Sequence, residues 1–360
     1  MKPLPPGAVI GILGGGQLGR MLAGAAARLG FDVNIFCPGE SPPAARVCAR
    51  HFDADYDDKA ALKAFAEACD VITYEFENIP VASVAHLVSL GAEVRPGAKS
   101  LDVSQDRLAE KQFLNAIGIE TGRFEPVASI AELENALKAL GGEGLLKTRR
   151  EGYDGKGQAR VKTGDDLAAA FAAIGEVPAI LEALVPFERE ISVVIARGAD
   201  GKTTAFDPSM NDHSGGILKR STAPCGLSED VIANARKLAE KLAAETGHIG
   251  VLALELFVLK DGTLLANEMA PRVHNSGHWT PEACATGQFE QHIRAVAGWP
   301  LGPVTRHFNV EMENLLGEEA LAPPESYPVG TILTLYGKRE AKAGRKMGHV
   351  VRRTGPAGQT

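Results

Sequence analysis

Two glutamates, Glu255 and Glu268, are the residues whose setting most demands a chemical explanation. Glu255 interrupts the apolar run from Val251 to Val258, where a carboxylate is costly to bury unless it is paired or binds a metal. Asp261-Gly262 signals a turn, and Leu264 to Glu268 reads as the returning strand. Such a hairpin brings both acids to one face. With Asn267 beside them they offer hard oxygen ligands suited to Mg2+, the ion that bridges nucleotide phosphates; a buried salt bridge to an arginine is the competing explanation. The stretch that follows, Met269 to Trp279, lacks amphipathic periodicity. Its Arg272, His274, Asn275 and His278 are more polar chemistry than a turn requires, and they suggest an anion-binding or acid–base loop.

Phosphate-handling groups lie upstream. Lys147 closes an apolar strand and is followed by Thr148-Arg149-Arg150-Glu151-Gly152-Tyr153-Asp154-Gly155-Lys156-Gly157. A backbone so rich in glycine could fold its N–H groups over phosphates, with Lys147 neutralising them, or it could be a solvated hairpin loop. It is not a Walker A sequence, because no Gly-Lys-Ser/Thr follows. Asp106 to Lys111 heads a helix and, taken alone, reads as a capped, solvent-facing turn. Gly14-Gly15-Gly16-Gln17-Leu18-Gly19 has the G-x-G-x-x-G spacing between strand and helix. A dinucleotide site also wants an acid at the end of the second strand, but that strand ends Ile35-Phe36-Cys37-Pro38. A tight structural turn and a site for some other phosphate-bearing substrate therefore stay open beside it.

These groups must be held by an α/β scaffold. Strand patterns at 8–13, 33–36 and 71–74 and near Val94 alternate with helical ones at 17–29 and 59–68 and after Pro80. Repeated strand–helix units of this kind argue for a parallel sheet covered by helices. Pro96-Gly97 marks a break, and 104–117 reads as one helix ended by Gly118. A smaller α/β unit follows, with strands at 144–147, 158–161 and 179–181 and a helix at 165–174. Beyond it come long strands at 190–197 and 251–258 with a helix at 228–245 between them, then a strand at 329–336 and a basic tail.

Composition narrows the class. The 360 residues suggest two or three domains, enough to bury a core without disulfides. Hydrophobic residues are 45% and charged residues 23%, which excludes a disordered chain or a fibre. Lys+Arg of 38 against Asp+Glu of 45 gives −7, a poor balance for binding nucleic acid or an anionic membrane. Neither is expected as a partner, and any anionic ligand must be met by local clusters of positive charge. Cys37, Cys48, Cys69, Cys225 and Cys284 show no CxxC pair and read as free buried thiols of a reducing cytosol. No apolar stretch reaches the roughly 18 residues of a membrane span, and Ala8 to Leu13 reads as a strand rather than a signal segment, so a cytoplasmic location is expected.

Together the parts resemble the ATP-grasp carboxylate–amine ligases. Gly-Gly-Gly-Gln-Leu-Gly-Arg-Met (14–21), Tyr-Glu-Phe-Glu-Asn-Ile (74–79), Glu-Gly-Tyr-Asp-Gly-Lys-Gly-Gln (151–158) and Asn-Glu-Met-Ala-Pro-Arg-Val-His-Asn-Ser-Gly-His-Trp-Thr (267–280) are similar to the N5-carboxyaminoimidazole ribonucleotide synthase family of purine biosynthesis. The likeness runs from about residue 8 to about 350; the last string is highly specific, whereas the first is weak on its own. It implies a Rossmann-like pre-ATP-grasp domain at 1–100 and a small α+β lid with its leading helix at 101–185. A larger α+β domain with the metal site at 186–300 and a small β-rich, substrate-phosphate-binding unit at 301–360 complete it.

The resemblance also implies a reaction and its residues. ATP would phosphorylate bicarbonate to carboxyphosphate, and the amine of 5-aminoimidazole ribonucleotide would then be carboxylated, in a homodimeric enzyme. Arg107 and Lys147 would contact the phosphates, Gly152, Tyr153, Asp154, Gly155, Lys156, Gly157 and Gln158 would form a lid, and Glu182, Ala183, Leu184 and Val185 would meet adenine. Glu190 would take the ribose, and His213 and Asn267 would complete the nucleotide site; Glu255 and Glu268 would ligate Mg2+ or Mn2+. Gln17 and Glu75 would face the aminoimidazole, with Tyr153, Asp154 and Lys156 reaching it from the lid. Arg272, His274 and Asn275, together with Lys147 and Tyr153, would serve the reacting groups, while Lys338, Arg345 and Lys346 would clamp the substrate phosphate. Relatives often continue with a further helix after the point where this sequence stops, and the phosphate clamp precedes that point. The alternatives are a formate-using transformylase of the same superfamily, separable at 272–279, a nicotinamide oxidoreductase, and an inactive nucleotide sensor.

Overall fold

In the computed structural model, residues 2–152 and 157–356 are described. The first unit contains β1 (Val9–Leu13), α1 (Gln17–Arg28), β2 (Asp32–Phe36), β3 (Arg50–Phe52), α2 (Lys59–Glu67), β4 (Val71–Tyr74) and α3 (Val81–Ser89). Its strands are parallel in the order β3-β2-β1-β4. β1 is apolar along its length because both faces are covered, as in any parallel sheet sandwiched by helices. The strand order reverses between β1 and β4, so their C-terminal ends form the crevice where such sheets bind ligands. Val94 adds a single parallel bridge to Ile72.

Next come α4 (Ala98–Ser104) and α5 (Arg107–Ala116). The helix expected at 104–117 forms as α5, starting at Arg107 because the Asp106 carboxylate accepts from Leu108 N–H at 3.0 Å and Ala109 N–H at 3.4 Å; α4 precedes it as a separate helix that the sequence reading did not expect. The solvent-facing reading of this segment is wrong, since Glu110 and Lys111 are buried. The small unit has β5 (Phe124–Val127), α6 (Ile130–Ala139), β6 (Glu143–Thr148), β7 (Gln158–Lys162), α7 (Leu167–Ala173) and β8 (Ala179–Glu182). They form an antiparallel sheet, β5-β8-β6-β7, over a core of its own around Leu133, Leu146, Phe171 and Leu181.

The remainder holds β9 (Arg189–Arg197), β10 (Thr203–Ala205), β11 (Ser209–Ser214), β12 (Ile217–Ala223), α8 (Glu229–Glu245), β13 (Gly250–Val258) and β14 (Leu264–Ala270). It ends with α9 (Thr280–Ala283), α10 (Gln288–Val296), β15 (Phe308–Leu316), β16 (Ile332–Leu335) and β17 (Lys346–Pro356). β16 starts later than the 329–336 reading, and Val329 stands in solvent. All these strands join one nine-stranded sheet, β14-β13-β9-β11-β12-β15-β17-β16 with β10 on β9. The C-terminal strands thus continue the central sheet through the β12–β15 pairing.

One hydrophobic core joins the first unit to the last, with Ile10, Leu22 and Ile35 packing with Val251, Ile293 and Val296. Buried His292 spans the junction: its Nε2 lies 2.8 Å from Thr73 Oγ1, and its Nδ1 accepts from Val251 N–H at 3.1 Å. Burial holds this imidazole neutral, down at about 4. All five cysteines are free; Cys37, Cys225 and Cys284 are buried, whereas Cys48 and Cys69 are only partly so. Among the described residues, no helix is long and apolar enough to cross a membrane.

Candidate active site

The acidic hairpin forms as expected. β13 and β14 pair antiparallel with Glu255 directly opposite Glu268, and a register shift follows immediately after. Burial and the neighbouring Glu268 charge push the Glu255 carboxyl up. Burial would also raise Glu268, but Arg107 and Lys147 outweigh it and hold Glu268 ionised, with Arg107 Nη1 3.0 Å from its Oε2. Glu268 opens on the cleft, with 39% of its side chain accessible. The metal and the salt-bridge explanations therefore meet in one place: Glu268 holds an arginine, while Glu255 has a neighbouring acid that raises its affinity for a proton. Two carboxylates competing for positive charge fit a divalent cation. Among the described residues no group of three His, Cys, Asp or Glu is arranged to hold a metal.

Around this pair the nucleotide candidates converge, mostly as ion pairs. Arg107, the first residue of α5, also donates through Nη2 to the Gly152 carbonyl at 2.8 Å. Lys147 sits opposite Gln158 in the β6–β7 register, so both ends of the glycine-rich loop are fixed beside it. Its Nζ is 2.9 Å from Glu182 Oε2, at the end of β8. Ala183, Leu184 and Val185 continue from Glu182 toward β9, half-buried. Glu190 Oε2 is 3.0 Å from His213 Nδ1. Burial would lower the His213 imidazole, but Glu190 outweighs it and raises it. Gly157 lies at φ +66°, where a Cβ would press on Thr148. The expectations for Tyr153, Asp154, Gly155 and Lys156 lie outside the described residues.

Beyond β14 the chain turns into the loop Arg272 to His278. Arg272 is gripped by Glu77: its Nε donates to Glu77 Oε2, and its Nη2 to Oε1 at 2.9 Å. His274 Nε2 lies 3.1 Å from Glu255 Oε1. Burial, then Arg272 and Lys346, push this imidazole down to about 3, so it is neutral. Its Nδ1 takes the Ser276 backbone N–H at 3.4 Å and faces the Ser276 hydroxyl at 2.8 Å. Ser192 donates to that hydroxyl at 2.6 Å, Asn211 Nδ2 donates to Ser192 at 3.0 Å, and Ser221 donates to Asn211 Oδ1 at 2.9 Å. The chain runs one way and leaves the imidazole proton on Nε2, toward Glu255. Asn275 exchanges two amide hydrogen bonds with Asn314 of β15, at 2.9 and 2.7 Å.

The N-terminal crevice contributes Glu75. It accepts from Gly16 N–H and, at 2.6 Å, from Gly19 N–H. Burial raises its carboxyl, against those N–H groups and the charges of Arg272 and Lys338. Gly14 lies at φ +112°, and a side chain there or at Gly16 would run into Glu75. The loop's donors at Gly16 and Gly19, where a dinucleotide or phosphate would dock, are thus taken by the protein's own carboxylate. Gln17 stands next to it as the first residue of α1. From the C-terminal side, Lys338 Nζ donates to the Lys346 carbonyl at 2.6 Å, and Lys346 bears electrostatically on both Glu255 and His274. Arg345 is exposed and donates to the Glu340 carbonyl at 3.1 Å. Sequence reading missed Glu77, Lys111, Glu110, Ser192, Asn211 and Asn314. Only Glu77, Glu110 and Lys111 carried a signal, as members of strings already singled out.

Comparison with known proteins agrees along the whole chain. Family profiles match at residues 8–105 (ribonucleotide synthetase preATP-grasp domain), 112–289 (ATP-grasp domain) and 311–354 (phosphoribosylaminoimidazole carboxylase C-terminal domain). The chain is 55% identical over 352 residues to an N5-carboxyaminoimidazole ribonucleotide synthase of Brucella melitensis, covering 97% of each, and 41% identical to that of Bacillus subtilis, covering 96% and 91%. A crystal structure of an N5-carboxyaminoimidazole ribonucleotide synthetase with ADP superposes with TM-score 0.94 at 40% identity, over 98% of this chain and 94% of that one. A synthase of Aspergillus clavatus in complex with ADP and 5-aminoimidazole ribonucleotide does so with TM-score 0.89 at 29% identity, over 98% and 95%.

Proposed function

The chain belongs to the N5-carboxyaminoimidazole ribonucleotide synthase family, and on that premise we propose that it carboxylates the amine of 5-aminoimidazole ribonucleotide with ATP and bicarbonate, releasing ADP and phosphate. The observation that carries the reading is the short loop from Arg272 to Asn275, which joins the acidic hairpin to the Glu75 crevice. ATP would lie along Arg107, Lys147, Glu182 to Val185, Glu190, His213 and Asn267. Glu255 and Glu268 would hold Mg2+ (Mn2+ is an alternative), which when bound neutralises polyphosphate charge.

The side chains then divide the work. Arg107 and Lys147 exchange their carboxylate partners for phosphate oxygens. Arg272, whose Nε and Nη2 are held by Glu77 and whose Nη1 donates to the Val273 carbonyl at 3.1 Å, would offer its charge and its remaining N–H groups to bicarbonate and to the carboxyphosphate made from it. Asn275, fixed by Asn314, and neutral His274, whose Nε2–H points into the site, supply donors without added charge. Gln17 and Glu75 receive the aminoimidazole ribonucleotide, whose phosphate is met by Lys338, Arg345 and Lys346. Gly152 to Gln158, with Tyr153, Asp154 and Lys156, would cover the site, because carboxyphosphate is lost to water quickly. We also propose that the enzyme is a cytoplasmic homodimer, which sedimentation of the purified chain checks.

An ADP-release assay with and without 5-aminoimidazole ribonucleotide and bicarbonate tests the reaction. Release is expected only when both are present. Turnover with formate in place of bicarbonate would instead indicate a transformylase.

A further inference from the structure

Lys111 is a buried cation to which none of the roles above is assigned. Its side chain is 3% exposed, and its Nζ lies 3.4 Å from Glu182 Oε1 and donates to the Asn267 carbonyl at 3.1 Å. The other Glu182 oxygen holds Lys147 at 2.9 Å. One carboxylate is therefore shared by two ammonium groups, one on α5 and one at the end of β6. The two cations are not equivalent. Lys111 is sealed and anchored to the β14 backbone, whereas Lys147 reaches the cleft with 13% of its side chain accessible. Burial works to raise Glu182, but Lys147 and Lys111 outweigh it and keep it ionised.

We infer that Lys111 is a positioning residue that keeps Glu182 neutralised so that Lys147 can leave it for the nucleotide phosphates. This rests on the reading of Lys147 as a phosphate ligand. When Lys147 turns to a ligand, a buried carboxylate loses its nearer partner, and leaving such a group uncompensated is strongly unfavourable. Lys111 removes that obstacle in advance, because its buried charge already stands 3.4 Å from the opposite oxygen, which no hydrogen bond satisfies, and stays out of solvent. Without it, Glu182 competes with the nucleotide for Lys147. Lys111 also ties α5 to β8 and β14, so the same contact holds the end of the small sheet against the acidic hairpin.

Calorimetric titration of the full chain with ADP tests this, with Lys111→Met made in two backgrounds. In the native background the ADP dissociation constant should rise about tenfold, and in the Glu182→Gln background the same change should alter it less than about threefold, because no carboxylate is left to retain Lys147. Lys111→Arg, which keeps the charge, should stay within about threefold of the native chain. An equal loss in both backgrounds, or no loss in either, overturns the inference. Should Lys111→Met alone fail to fold, the Glu182→Gln pair still decides, since a loss beyond about threefold there contradicts the coupling. Lys147→Met separates the two layers of the argument. If it leaves ADP affinity unchanged, the phosphate assignment itself fails; if it weakens ADP while Lys111→Met does not, only the role of Lys111 fails.

Discussion

The nucleotide side of the cleft and the acceptor side are built on different electrostatic plans. On the nucleotide side every central group is charged and already partnered: Arg107 with Glu268, Lys147 and Lys111 with Glu182, Arg149 with Asp106. On the acceptor side, one ion pair, Arg272 with Glu77, is joined by two neutral groups, His274 held by Ser276 and Asn275 held by a reciprocal amide pair with Asn314. A polyphosphate can displace carboxylates from cations because it brings more negative charge than it removes. Bicarbonate, with a single charge, could not reorganise such pairs, so its donors must be set beforehand.

Substitutions can break this contrast, and Glu268→Gln should do most. It removes the proposed metal ligand and the partner of Arg107 together, so kcat should fall by at least about a thousandfold. Near-normal turnover with saturating Mg2+ would remove the metal assignment.

Buried, neutral imidazoles carry an acid-sensitivity that the ion-paired carboxylates lack over the same pH range. His292 and His349 are buried and held neutral at about 4, burial being the cause, while an unfolded histidine titrates near 6.5. Between those values the unfolded chain binds the extra proton. Stability is thus fully present above about pH 6.5 and declines as the pH falls toward 4, by roughly 1.4 kcal/mol per unit for each group. Glu182 and Glu77, whose folded values are depressed, give up their contribution only below about pH 4.5. Urea midpoints at pH 7 and pH 5 measure the difference, and His292→Gln should reduce it by one group's share. A pH-independent midpoint over this range would contradict the neutral assignment.

Ser276→Ala interrupts the chain that aims His274. We expect kcat to drop by about tenfold with KM for ATP unchanged, and the nitrogen NMR shifts of His274 to report a mixed tautomer. Unaltered shifts would mean that the backbone N–H of Ser276 suffices. Arg345→Ala should have the smallest effect, raising KM for the ribonucleotide by about fivefold at constant kcat, because a phosphate clamp contributes uniform binding. An unchanged KM would take Arg345 out of the clamp.

What could be read in advance follows from range. Glu255 and Glu268 were legible because an acid in an apolar strand contradicts its surroundings within a few residues, and the Asp261-Gly262 turn sets their pairing. The parallel unit was legible for the same reason, its strands being short apolar runs punctuated by glycine. Asn314, Ser192 and Asn211 were not, because a lone polar residue in a strand announces nothing until another strand supplies its partner. β11, Ser-Met-Asn-Asp-His-Ser, has almost no strand character of its own and exists through β9 and β12. The helix start at Asp106 was legible, but the burial behind it was not, because the partners of this segment, such as Arg149 on Asp106, lie far along the chain.

The glycine turn around Glu75 has a further consequence. A carboxylate tethered within reach of backbone donors behaves as an inhibitor at very high local concentration, which a free phosphate at cellular levels would have to evict. The turn that looks most hospitable to NAD therefore carries its own permanent competitor. Converting this crevice into a dinucleotide site would require loss of one acidic side chain before any gain of glycine.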